Sequence, residues 1–298
     1  MIGVELDDAH ALAIFVDDRG EVRARAQVEA AGDLGAAAAK AVAEVQQAMP
    51  GTVSGLVGVA ATSPESPDVA PVALQLAASY GGSGIRNAVV SSGTAAAAAE
   101  AWVGAARGLK DVVYFAVAQH TTGGIVRDGR AVTGARGLAG SVAWLSLNPV
   151  EREDYRKAGC LEAEVAAAGI VRRLIWRIKA GDRSRVQDVI KDDLSAITVD
   201  HVLGAARDGD GVAISVVRDT ARYLGMAAAN LVAIADPEML VLGGIMASDA
   251  DLLIGPVRSE IARRLPKPMV DALKIESATL GADAAAIGAA RLVTAALP

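Results

Sequence analysis

The sequence is poor in cysteine, histidine, aromatic residues and positive charge. Its one cysteine, Cys160, excludes an internal disulfide and fits a reducing, cytoplasmic compartment. Aromatic residues make up 3% of the 298 positions and hydrophobic residues 52%, so the core must be assembled from Ala, Val, Leu and Ile. The net charge of −6 and an isoelectric point near 5.2 argue against nucleic-acid binding by this chain, because phosphate contacts need a basic face. No apolar run has the length of a membrane span; the longest, at 223–235, stops at Asp236-Pro237. No basic stretch leads into an apolar one after Met1, so no signal peptide is read.

The pattern along the chain is that of an α/β protein. Strands are predicted at 1–6, 11–16 and 22–28, the third alternating Val22, Ala24, Ala26 and Val28 with polar neighbours. The start directly into three antiparallel strands predicts no upstream helix-turn-helix in this chain. An Ala-rich helix at 34–49 ends at Pro50-Gly51. A strand at 56–60, a Pro/Ser loop at 62–71, a helix at 72–80, a flexible break at 81–84, a strand at 87–90 and a helix at 95–106 follow.

The second half opens near Gly108. Residues 112–117 read as a buried strand, 118–122 as a polar loop, and 125–132 as a hairpin turned at Asp128-Gly129, a pair that readily takes the positive φ of a tight turn. One long helix is predicted at 161–179 and a charged solvated helix or loop at 182–193. Thr198 caps a helix through Ala206, and a helix at 212–235 ends before Pro237. The strand at 239–242 opens onto Gly243-Gly244. A helix at 249–265, a strand at 273–277 and a closing helix at 284–296 complete the chain. Two halves built alike predict a duplicated α/β unit, with ligands in the cleft between, at strand ends and helix N-termini.

Several stretches carry a resemblance to one family: Glu100-Ala101-Trp102, 123–130, 134–140, Gly159-Cys160-Leu161-Glu162, 223–244 (with LVAIADPEMLVLGG at 231–244) and 280–290. On these the chain resembles the ROK family of bacterial sugar kinases and sugar-responsive repressors, nearly end to end. The resemblance implies a two-domain actin-like (ribonuclease H-like) sugar-kinase fold with an interdomain cleft. It places an N-terminal domain at 1–107, joined by the last helix at 284–298, and a larger one at 108–283. It also implies a homodimer or homotetramer.

The scaffold signals of that family are present and its chemistry looks erased. Its first phosphate loop is an acidic residue followed by x-Gly-Gly-Thr; here Glu5-Leu6 runs into Asp7, Asp8, Ala9 and His10. A carboxylate about 4 Å from a phosphate costs roughly 4 kcal/mol at an effective dielectric near 20. Asp7 and Asp8 read as a solvated turn, a cation bridge or another contact being the alternatives, and His10 as a surface residue. The family's Asn-Asp-Ala-Asn, whose Asp is the general base, is Ser91-Ser92-Gly93-Thr94, equally a helix-capping run. The second phosphate loop, Gly-Thr-Gly-x-Gly-Gly-Gly in the family, reads Ala118-Gln119-His120-Thr121-Thr122-Gly123-Gly124; its polar members can still meet an anion, and His120 reads as solvated.

The family's sugar-binding Glu and its sugar- and zinc-binding His fall on Ser141 and Trp144. Only Cys160 remains of three zinc-ligating cysteines, and one cysteine cannot build a closed zinc site. Cys160 therefore reads as a small buried hydrophobe, and Trp144 as filling the space of the metal or sugar. Glu162 matches a sugar-contacting Glu. The family's Pro-Gly substrate loop near Ala61-Thr62 is absent. Gly243 and Gly244 match the adenosine-binding glycines, the third being Ile245.

The expectation is a catalytically inactive ROK homologue, acting as a sensor, regulatory or structural subunit. It would bear no zinc, ATP and magnesium being disfavoured, and a sugar-like ligand is admissible. The alternatives are the effector domain of a repressor and an active kinase with relocated catalytic residues.

Overall fold

The computed structural model describes residues 1–50, 57–80 and 89–295; the break expected at 81–84 lies outside them. The first half builds β1 (Ile2–Leu6), β2 (His10–Val16), β3 (Val22–Glu29), α1 (Leu34–Ala48), β4 (Val57–Ala61), α2 (Val69–Tyr80), β5 (Val89–Ser91) and α3 (Ser92–Trp102). The second begins with β6 (Val112–Val117), β7 (Thr121–Arg127) and β8 (Arg130–Ala131). Helices α4 (Glu153–Ala158), α5 (Cys160–Val165), α6 (Ala167–Lys179), α7 (Val186–Val189), α8 (Val199–Arg207) and α9 (Gly211–Ala235) follow. The chain closes with β9 (Met239–Gly244), α10 (Ile245–Ser248), α11 (Ala250–Ala262), α12 (Lys267–Ala272), β10 (Lys274–Ser277) and α13 (Ala284–Ala295).

The two sheets repeat one design. Their orders are β3-β2-β1-β4-β5 and β10-β9-β6-β7-β8. In each, the leading strand pairs antiparallel with the strand that follows it and parallel with a later one: β1 with β2 and β4, β6 with β7 and β9. The central strands are buried along most of their length and rich in Val, Leu and Ala, as strands covered on both faces require. Among the described residues no helix is long and apolar enough to cross a membrane.

The scarcity of large side chains has a structural use. A Cβ at Gly3 would lie 1.9 Å from the Ala286 carbonyl, and one at Gly58 1.9 Å from that of Ala289. Helix α13 therefore rests on β1 and β4 at backbone distance, which only glycine allows.

Local signals explain most boundaries. Asp33, Ser91, Thr198 and Asp210 each accept a backbone N–H at the start of α1, α3, α8 and α9. Asp236 ends α9 in the left-handed region at φ 44°. The helix expected at 161–179 is two: Ala166 is extended, and the Ala167 N–H donates to the Ala118 carbonyl at 3.0 Å, a tertiary bond no helical periodicity reveals. Helix α3 starts at Ser92 rather than 95, and stops at Trp102 rather than 106 because the Glu100 carboxylate captures the Ala105 N–H at 2.7 Å.

Candidate functional site

The N-terminus of α3, the β1–β2 turn, the β6–β7 connection and the start of α5 converge on one cleft. The β1–β2 turn is held by Asp7, whose carboxylate accepts from the Ala9 and His10 N–H groups at 2.8 and 2.7 Å and pairs with His10 Nδ1 at 2.9 Å. No residue from Leu6 to His10 has a positive φ. The Asp7 carboxylate thus takes the N–H groups that a phosphate loop would offer its ligand, and His10 is its partner rather than a free surface residue. Asp8 is exposed and faces the cleft.

At the other wall, Ser91 caps α3: its hydroxyl donates to Thr94 Oγ1 at 2.8 Å and accepts from the Thr94 N–H at 3.2 Å. Ser92 is 3% exposed, and its hydroxyl makes no hydrogen bond of ordinary geometry among the described residues. The Thr121 hydroxyl is likewise buried and unpartnered. The Ser92 hydroxyl faces the Glu5 carboxyl, so the Thr121 hydroxyl is the one left to a ligand or to water.

His120 is not solvated as expected. Its Nδ1 lies 3.2 Å from Glu162 Oε1, while Glu162 Oε2 accepts the Thr121 N–H at 2.9 Å. Its Nε2 stands 3.9 Å from Asp8. The hydrogen bond with Glu162 raises the His120 pKa, burial opposes that, and the charges of Glu162, Asp8 and Asp7 add to it. Protonated His120 then joins the β1–β2 turn to α5. The stability this gives is full below the ordinary pKa of 6.5 and is lost as pH rises through the raised value.

Two cavities flank this contact and share Thr62, His120 and Thr122. One, of about 450 Å³, is lined by Asp8, Ser91, Gly93, Ser141, Trp144, Lys157 and Glu162, and by the loop from Thr62 to Pro67. Trp144 is 51% exposed and stands on its wall, so the expectation that it fills the space is corrected: the one-turn helix at Val142–Trp144 buries Val142 instead. Ser141 turns to the Leu138 carbonyl at 2.7 Å. Cys160 is buried among Tyr155 and Ala163. Among the described residues no three His, Cys, Asp or Glu side chains form a metal-holding group.

The second cavity, of about 570 Å³, is lined by Glu5, Asp7, His10, Ser92, Tyr114, Gln119, Gly244 and the start of α13. Burial pushes the Glu5 carboxyl up to about 7; the Ser92 hydroxyl opposes this, and the Asp7 and Asp283 charges reinforce it. Glu5, Lys157 and Glu65 were not read from the sequence as site residues. Only Glu5 had a signal, as the acid that opens the altered loop.

The retained glycines have packing reasons of their own. A Cβ on Gly124 would sit 2.1 Å from the Gly93 carbonyl, and one on Gly93 2.1 Å from that of Gly123, so α3 lies directly on β7. A Cβ on Gly243 would meet the Tyr114 hydroxyl at 2.6 Å. Gly244 has φ 61° and would meet the Val117 carbonyl at 1.9 Å.

The sequence profile of the ROK family matches residues 86–296. A glucokinase of Halalkalibacterium halodurans is 34% identical over 201 residues, 66% of this chain and 60% of that protein. The N-acetylglucosamine repressor of Escherichia coli O157:H7 is 29% identical over 198 residues, 66% of this chain and 47% of that protein. The chain thus spans less than two thirds of the length of these curated relatives. A ROK family glucokinase from Streptomyces griseus, solved with glucose and AMPPNP, shares the fold at TM-score 0.78 and 24% identity, over 98% of both chains. A ROK family transcriptional regulator homologous to the Escherichia coli MLC protein shares it at 0.82 and 21%, over 99% of this chain and 78% of that one. The architecture is that of these ROK family structures.

Proposed function

The chain belongs to the ROK family, and from that premise we propose that its cleft binds a sugar-like small molecule without transferring a phosphoryl group to it, as a sensor or regulatory subunit. The observation that carries this reading is which parts of each family motif survive. Gly123, Gly124, Gly243 and Gly244 survive, and each is demanded by packing or backbone conformation. The residues whose use would be chemical are replaced. Ser92 stands where the family has its base and cannot take a proton at neutral pH; losing a general base costs about 10²- to 10⁴-fold. Asp7 is consumed by its own turn, and Asp8 adds a negative charge to the loop where a phosphate would approach.

The shared boundary of the two cavities supports the same reading. The Asp8–His120–Glu162 array lies there, between a sugar-sized space and the space beside Gly244. Glu162, Lys157, Glu65 and the orphan Thr121 hydroxyl give the first cavity polar groups suited to hydroxylated ligands. The likeness to the MLC-type regulator favours a second reading, the effector domain of a repressor.

Calorimetric titration with Mg·ATP tests the proposal without a choice of sugar. With folding verified by circular dichroism, no heat at millimolar nucleotide that changes on Asp8→Asn is the expected result. Micromolar binding that changes on Asp8→Asn would place phosphate beside Asp8 in the cleft, and would overturn it.

A further inference from the structure

A third cavity, of about 790 Å³, lies away from the cleft and shares no lining residue with the other two. It sits at the far ends of the same elements. About 15 Å of helix, at 1.5 Å per residue, separates Ser92 from Trp102 along α3. Strand β7 likewise runs from Thr121 at the cleft to the Asp128-Gly129 turn at this cavity. The floor is apolar, from Val90, Ala98, Ala101, Leu109, Val126 and Leu292. Arg107, Arg130 and Arg291 stand around it, with Trp102.

The charge there is unbalanced. Among the described residues no carboxylate lines the cavity, although the chain carries 35 acidic residues against 29 basic ones. Among the described residues none of the three guanidiniums makes an ion pair, whereas neighbouring Arg127 is paired with Asp111 at 3.2 Å. Arg291 lies 5.1 Å from the centre of the Trp102 ring, which steers its guanidinium. Arg130 follows a tight turn with φ 51° at Asp128 and 74° at Gly129, so its backbone is fixed. Three cations that line one cavity without a counter-charge among the described residues raise its potential, and an oxyanion is drawn to it.

We propose that this cavity binds a phosphate ester whose body presents a flat or apolar face. Guanidinium forks bind phosphate oxygens in pairs, and the Trp102 ring with the apolar floor accepts the rest of the molecule. The volume falls within the range of small-molecule sites and exceeds what a bare ion needs. The occupant would touch α3 and α13 on one side and the β7–β8 hairpin on the other.

The test is calorimetry on the full chain at fixed ionic strength, with AMP, glucose 6-phosphate and inorganic phosphate as probes. At least one ester should bind with a sub-millimolar Kd, about tenfold or more tighter than inorganic phosphate. AMP against glucose 6-phosphate separates a nucleotide from a sugar phosphate as the preferred body. Arg130→Glu and Arg291→Glu should each weaken binding about tenfold or more, and Arg130→Gln, mild at an exposed turn, should weaken it in the same direction. Arg222→Glu, on the exposed face of α9, makes the same charge change elsewhere and should stay within about twofold. Absence of saturable binding by both esters would overturn the proposal. So would equal weakening by Arg222→Glu, which would reduce the effect to net charge.

Discussion

Glu5→Gln should make the protein more stable at pH 8 by about 2–3 kcal/mol and leave it unchanged at pH 4. Glu5 lies on β1 between Leu12 of β2 and Ala60 of β4, and its carboxyl enters the cavity beside Tyr114 and Ser92. Burial lifts its pKa from 4.5 to about 7. Below pH 4.5 the folded and unfolded chains both hold the proton, so the burial of Glu5 costs nothing in charge. Between 4.5 and 7 the unfolded chain gives it up first, and stability falls as pH rises. Above 7 the whole cost of an ionised carboxylate is borne. That cost is roughly 1.36 kcal/mol for each pH unit separating the folded from the unfolded pKa, reduced by the partial solvent access of the side chain. Urea midpoints of both proteins at the two pH values measure this. A difference of the same size at pH 4 and pH 8 would mean that packing, not ionisation, sets it. His120 titrates in both proteins and cancels from the comparison.

Glu100→Ala should cost at least about 3 kcal/mol at pH 7. Glu100 is fully buried, and its carboxylate accepts from the backbone N–H groups of Ala105, Thr279 and Leu280 at 2.7, 2.9 and 3.0 Å. The Thr279 hydroxyl adds a fourth bond at 3.2 Å. These bonds stop α3 and tie its end to the segment that leads from β10 into α13. Removal of the carboxylate takes the acceptor from three part-buried backbone donors, each bond worth about 1 kcal/mol, and empties a fully buried side-chain site. Glu100→Gln keeps one accepting oxygen and should fall between the two. The same urea titration checks this, and a loss below about 1 kcal/mol would show that the connection is made by packing alone.

The fold was legible because its signals are local. Alternation in β3, the Asp128-Gly129 turn, the capping run at Ser91, the cap at Thr198 and the stop at Asp236-Pro237 each depend on a few neighbouring residues. What escaped depends on contacts between distant ones. His120 and Glu162 are far apart in sequence, and only the packing of α5 against the β6–β7 connection makes them partners. The break at Ala166 follows from a bond to Ala118. Trp144 looked like a space-filler because its size was visible and its direction was not.

The glycines are the most instructive case. A matched phosphate-loop motif and a close packing contact leave the same letters at Gly123 and Gly124. Only the approach of Gly93 to β7 separates the two explanations. The three arginines of the outer cavity come from α13, from a β-turn and from the segment after α3, so no local pattern could have joined them.

Sugar binding without phosphoryl transfer is tested by an assay with labelled Mg·ATP over a panel of aldohexoses and their N-acetylated amino derivatives. No sugar phosphate should form above the no-enzyme control, while calorimetry of the same sugars in the absence of ATP should show binding of at least one. Turnover that disappears in His120→Gln would contradict the proposed function. The His120–Glu162 pair would then be the base that replaces the family's aspartate.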